Sequence, residues 1–164
     1  MKFAASTVQT RFESPLGPII LAANDQQLVG VWFDGQRHQP DTSSWPHAPE
    51  HPVLQQASAQ LTEFFAGRRT SFELPLNLGA GTDFQQEVWR ALLRIPSGAT
   101  RSYGALSADI GKPTAVRAVG AAVGRNPLSI VVPCHRVMGA DGSLTGYAGG
   151  LERKTALLQL EGVV

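Results

Sequence analysis

The sequence predicts an α+β fold in two parts: a small antiparallel sheet with one helix, then a mainly helical half. Three observations predict it. Near the N-terminus the apolar segments are short and turn residues separate them; a single stripe of helical period follows; beyond residue 78, helix caps and further stripes replace the strand pattern. A chain of 164 residues, 43% of them hydrophobic, can bury a real core.

Each element has its own local cause. Phe12, Leu16, Ile19 to Ala23 and Leu28 to Phe33 are separated by SPLGP and NDQQ, which predicts a three-stranded meander. Residues 36 to 52 are rich in proline and polar groups and predict a loop. From Pro52, Leu54, Ala57, Leu61, Phe64 and Phe65 keep helical spacing, and Gly67 offers a stop. Phe72 to Leu76 reads as a short strand, and Asn77 to Asp83 as a linker, so the expected parts are 1–78 and 79–164. Thr82 and Gln85 form a capping-box pattern ahead of a stripe of Phe84, Val88, Trp89, Leu92 and Leu93. Ser102 can cap a short helix to Ile110, Gly111 permits a left-handed turn, and Pro113 suits the first turn of another helix reaching about Val123. Two short helices around a glycine turn fit a helix-turn-helix and equally fit two packed core helices.

Composition narrows the function classes. No apolar run approaches the roughly 20 residues of a membrane span, and the start has no signal-peptide pattern, so a cytoplasmic protein without membrane contact is expected. The formal charge is +1, low for a nucleic-acid binder. It is unevenly spread. Residues 1–82 hold 5 Lys/Arg against 7 Asp/Glu, whereas residues 83–164 hold 9 against 6. The helix around TAVRAVGAAVG is nearly bare, with Arg117 as its one long polar side chain, which suits close approach to a backbone better than base reading.

The chain has one cysteine, so it forms no internal disulfide. Cys134 ends LSIVVPC, which reads as a buried extended segment, and free cysteine is commonly a small buried hydrophobe. Against that reading stand His135, Arg136 and Glu161, which could draw a thiol toward thiolate. His135 can serve Cys134 only where the chain turns, since neighbours in a strand face opposite ways. Glu161 follows Leu157 by four residues and Leu158 by three, placing its carboxylate beside an apolar face, as an ion-pair partner or as the orienter of a Cys–His–Glu relay. Asn126 is either a turn residue or the amide that holds the cysteine loop.

PCHRV at Pro133 to Val137, NP at Asn126 and Pro127, and GYAGG at Gly146 to Gly150 together resemble the O6-alkylguanine-DNA alkyltransferases, or methylated-DNA–protein-cysteine methyltransferases. FQQEVW, IPSG, SYGALS and RAVGAA extend the resemblance over residues 82 to 162, while the first half fits loosely through SPLGP. The resemblance implies an N-terminal ribonuclease H-like domain and a C-terminal winged helix-turn-helix domain. It implies irreversible alkyl transfer from O6-alkylguanine, and from O4-alkylthymine, in double-stranded DNA to Cys134, with no cofactor or metal.

Residue roles follow from the same resemblance. Cys134 is the nucleophile, His135 through a water and Glu161 form the proton relay, Asn126 braces the turn, and Tyr103 rotates a phosphate and donates to the flipped base. Arg117 is the finger that fills the vacated stack, with Ala118 and Ala121 on the bare helix that enters the minor groove. Val137 and Cys134 offer carbonyls to the guanine amino group, and Tyr147 and Ala148 line the pocket. A monomer is expected, with cooperative binding along DNA left open. Ala148 stands where some relatives have serine. The zinc site and the activator module of certain relatives have no counterpart, and His47 and His51 lie in the proline-rich loop. Two other classes remain open at this stage: a lesion-flagging protein, whose known forms carry tryptophan in place of the cysteine, and a cysteine hydrolase.

Overall fold

The computed structural model describes residues 1–164. It begins with β1 (Val8–Ser14), β2 (Gly17–Ala23) and β3 (Leu28–Phe33), an antiparallel sheet in the order β1-β2-β3. The first turn is tight because Ser14 Oγ accepts from the Leu16 N–H and Gly17 takes a φ of 110°. Ile19, Leu21 and Ala23 face α1 (Pro52–Phe65) and the main core. Ile20 and Ala22 point the other way, onto Val29 and Trp32, where Phe3 and Trp45 cover them. The proline-rich loop is therefore held in place: Gln9 pairs its backbone with Pro46 and Ala48, and its side chain donates to Thr42 and Trp45 carbonyls. Helix α1 starts with proline at its N-terminus and stops where Gly67 turns left-handed at φ 75°. His51 caps it, Nδ1 accepting from the Val53 N–H at 3.2 Å.

The expected strand at Phe72 to Leu76 is absent. That segment is apolar but joins the sheet at one point, a parallel bridge between Leu76 and Leu28, because only Pro75 and Asn77 reach the β3 backbone. The same free edge of β3 receives the chain again at its other end, where the Val31 N–H donates to Pro127 and Val31 O accepts from Ser129. An exposed edge strand is thus blunted by two loops, and the second leads directly to Cys134.

In the C-terminal half, α2 (Asp83–Leu92) starts with the full capping box of Thr82 and Gln85. After β4 (Arg101–Ser102) come α3 (Tyr103–Asp109), capped by Ser102, and α4 (Val116–Gly124). Gly111 makes the turn between them at φ 72°. Pro113 lies in that turn rather than in the helix, which begins at Val116 with Ala115 as its uncapped entry. Trp89 Nε1 donates to the Ala122 carbonyl at 2.8 Å and fixes α2 against α4. The wing is reduced to β4 and β5 (Val137–Met138), paired in parallel. Helix α5 (Leu151–Leu160) closes the chain, burying Leu157 and Leu158. One apolar core runs through both halves, from Ile19 in β2 to Val119 in α4 and Leu157 in α5.

Candidate active site

The segment before Cys134 is buried as expected, but it is not extended. Ile130 sits at φ 73°, and short-range bonds from Val131 to Ser129, Val132 to Leu128 and Cys134 to Val132 fold the chain on itself. Asn126 is what holds this shape. Its Nδ2 donates to the Val132 carbonyl at 2.8 Å and its Oδ1 accepts from the Leu128 N–H at 3.0 Å, all of it buried. The turn role and the bracing role are one geometry. Pro133 then leads into a 3-10 turn over Cys134–Arg136, which supplies the change of direction that a cysteine and its following histidine require.

Glu161 forms the ion pair with Arg136 and also touches His135. Its carboxylate takes two bonds from Arg136, Nε at 3.0 Å and an Nη at 2.6 Å, and a third contact at 3.1 Å from His135 Nε2. Arg136 further donates to the Ile95 carbonyl. The Glu161 side chain is only 2% exposed, so burial pushes its carboxyl upward, yet the hydrogen bonds from His135 and Arg136 outweigh this and hold it at about 2. Burial lowers the His135 pKa and the Glu161 bond restores only part, so the imidazole is neutral near pH 7. With Nε2 committed to Glu161, Nδ1 is buried and bonded to no other group of the chain.

The thiol departs from the sequence expectation. Burial lifts Cys134 from 9.0 to about 11, and hydrogen bonding by Asn126 together with the charge of Lys154 offsets only part of that rise. Arg136 cannot draw it down because Glu161 already neutralises it, and His135 carries no charge. At rest Cys134 is a neutral thiol, 5% exposed.

Cys134 lies in a cavity of about 570 Å³, within the range of ordinary small-molecule sites. Tyr103, first residue of α3, Tyr147 and Ala148 line it, as does Ala121 of α4. Tyr147 has a buried hydroxyl. The Ala148 N–H makes no bond within the chain, while its carbonyl accepts from the Arg37 N–H at 3.0 Å. Val137 O accepts from Lys154 Nζ at 2.6 Å and Cys134 O from the Val137 N–H, so each carbonyl keeps one lone pair for a ligand. Arg117, Ala118 and Ala121 form the exposed face of α4, opposite the buried Val119, Ala122 and Val123. No group of three or more His, Cys, Asp or Glu side chains could hold a metal ion.

Sequence reasoning passed over Lys154. It is fully buried, spans from the Val137 carbonyl to that of Thr145 at 2.8 Å, and burial brings its pKa from 10.5 to about 8. The signal was present, since Lys154 precedes Leu157 by three residues and Leu158 by four, on the apolar stripe. Arg37, His38 and Arg125, which also line the cavity, carried no such periodic mark.

The family models agree with this arrangement over nearly the whole chain. Residues 7–78 match the ribonuclease-like domain of 6-O-methylguanine DNA methyltransferase, and residues 83–163 match its DNA binding domain. The methylated-DNA–protein-cysteine methyltransferase of Mycobacterium leprae is 50% identical over 149 residues, covering 91% of this chain and 88% of the relative. This chain belongs to the methylated-DNA–protein-cysteine methyltransferase family. The Methanosarcina acetivorans member is 50% identical over 152 residues, 92% of this chain and 96% of that one. The crystal structure of Mycobacterium tuberculosis OGT in complex with DNA superposes with a TM-score of 0.87 at 48% identity, covering 95% of this chain and 92% of the other. As a methyltransferase of this family, the chain is a DNA-binding repair enzyme that works by alkyl transfer.

Proposed function

We propose that the protein removes the alkyl group from O6-alkylguanine, and from O4-alkylthymine, in double-stranded DNA by moving it irreversibly onto its own Cys134. The observation that carries this reading is a single buried thiol at the foot of a base-sized cavity, backed by a His–Glu–Arg network. In the transfer, the thiol proton passes toward His135 Nδ1, directly or through one water, while Glu161 holds the ring by Nε2 and stabilises the imidazolium that forms. The sulfur attacks the alkyl carbon, an S–C bond forms and the C–O6 bond breaks. Tyr103 gives its hydroxyl proton to the leaving base while the Ala148 N–H holds O6, so guanine leaves neutral; the proton on His135 returns through solvent to Tyr103, and the net hydrogen of the thiol ends on the product. The product is a thioether. A thioether, unlike a disulfide, is not resolved by thiol exchange, so nothing in the chain reverses it and each molecule acts once.

A carbon attached to O6 inside a stacked duplex is out of reach of a buried sulfur, so the base has to be extruded at a cost of a few kcal/mol. The bare face of α4 suits close approach to the minor groove, and Arg117 is long enough to occupy the emptied stack. Residues 1–78 and 79–164 act as two modules on one core, and the protein works as a monomer. Cys134→Ser is expected to abolish methyl transfer from a duplex carrying O6-methylguanine while retaining DNA binding; transfer surviving in that variant refutes the reading.

A further inference from the structure

The wall of the Cys134 cavity also carries two arginines and a histidine that the alkyl transfer does not use. Arg37 and His38 come from the corner after β3, and Arg125 from the end of α4. All three are exposed, and neither arginine takes part in an ion pair. None of the residues lining the cavity is acidic. The groups are near enough to oppose one another: after burial, the charges of Arg125 and Arg37 are what lower the His38 pKa.

This corner is built rather than incidental. His38 holds a φ of 64°, a left-handed conformation that is unfavourable for a residue bearing a side chain. Its neighbours keep it there. The Arg37 N–H donates to Ala148 O at 3.0 Å, and the buried Gln36 accepts from the Phe33 N–H at 2.9 Å and from the Ser129 hydroxyl at 3.2 Å. The N-terminal half is thereby fastened both to the loop that presents Cys134 and to the outer wall of the cavity. Cys134 is buried while the two arginines and His38 are exposed at the rim, the same order in which an inserted base and its own phosphate would lie.

We infer that Arg37, His38 and Arg125 form a phosphate clamp at the rim of the cavity, by which the N-terminal half grips the backbone of the strand that delivers the extruded nucleotide. The inference rests on the lesion-repair reading above. An anionic O6 substituent shares the chemistry, but its attachment carbon must lie against the buried sulfur, whereas a phosphodiester stays at the rim, where these side chains are.

The test compares the full-length protein with its Arg37→Ala/Arg125→Ala variant, following alkylation of Cys134. Four substrates are needed: an O6-methylguanine duplex, the same duplex with uncharged methylphosphonates flanking the lesion, free O6-methylguanine, and an O6-carboxymethylguanine duplex. The clamp predicts that the variant loses more on the charged methylguanine duplex than on the free base. It also predicts a salt slope of log rate smaller by about 2, one per phosphate contact removed, and no remaining advantage of the charged duplex over the methylphosphonate one. Arg37→Lys/Arg125→Lys should recover part of the loss. Equal losses on duplex and free base, or an undiminished preference for the charged duplex, overturn the clamp; a loss confined to the carboxymethyl substrate does so too, by assigning the cations to the adduct. Wild-type protein left unmodified by every substrate sinks instead the repair reading beneath it.

Discussion

On the proposed mechanism Cys134 waits as a thiol and attacks as a thiolate, and its surroundings favour the first state. Burial sets a pKa of about 11, so thiolate is scarce at neutral pH in the absence of substrate. In the DNA-free protein, alkylation of Cys134 by iodoacetamide should therefore climb by about tenfold per pH unit from pH 7 to pH 9.5. A plateau at pH 8.5 would mean that the thiol is not raised. Glu161 has the opposite sign. Its carboxyl is held at about 2 against 4.5, so it stabilises the fold above pH 4.5, and that contribution is lost as pH falls toward 2. Glu161→Gln leaves the Arg136 guanidinium, 8% exposed, without its counter-charge, for an expected loss of about 3–5 kcal/mol in denaturant unfolding at pH 7. The same variant should show a flatter stability profile between pH 5 and pH 2. Individual residues were legible where helix period or a turn fixed them: Glu161 beside the apolar face, His135 needing a turn. The thiol's raised pKa was not, because it depends on burial and on Glu161 consuming the charge of Arg136, neither of which has a sequence period.

Among the elements, the helix caps were the most legible, because a Thr82–Gln85 box or a Ser102 cap is satisfied within a few residues of chain. The failures came where distant partners decide. Phe72 to Leu76 has strand composition but meets β3 at one bridge, and Leu128 to Cys134 has an apolar run that Asn126 folds into turns. That loop has a testable cost. Asn126→Ala leaves the buried Leu128 N–H without a partner and takes one of the two bonds from the Val132 carbonyl, which keeps the Cys134 N–H, predicting a loss of about 1–3 kcal/mol by urea unfolding. It also predicts slower alkylation of Cys134 at equal folded fraction; unchanged stability and rate would show that the loop holds itself. The helix-turn-helix makes a separate prediction. Arg117→Ala should slow reaction with a lesion duplex far more than reaction with the free base, since only the duplex must be opened and held open. Equal slowing on both substrates would count against a finger role.

At the scale of the molecule, the two halves share one core, and the edge of β3 ties the sheet to the loop behind Cys134. This continuity was hidden in the sequence, which suggested a linker at Asn77 to Asp83 and gave no sign that Val31 pairs with Pro127 and Ser129. The overall charge of +1 was equally uninformative. What matters is its placement, with unpaired arginines on α4 and around the cavity rim. The central claim is that one sulfur is consumed per lesion. Intact-protein mass after incubation with excess O6-methylguanine duplex tests it most directly. The account predicts complete conversion to a species carrying one methyl group, mapped to Cys134, with repaired DNA never exceeding one equivalent of protein; unmodified Cys134, or repair beyond one equivalent, would contradict it.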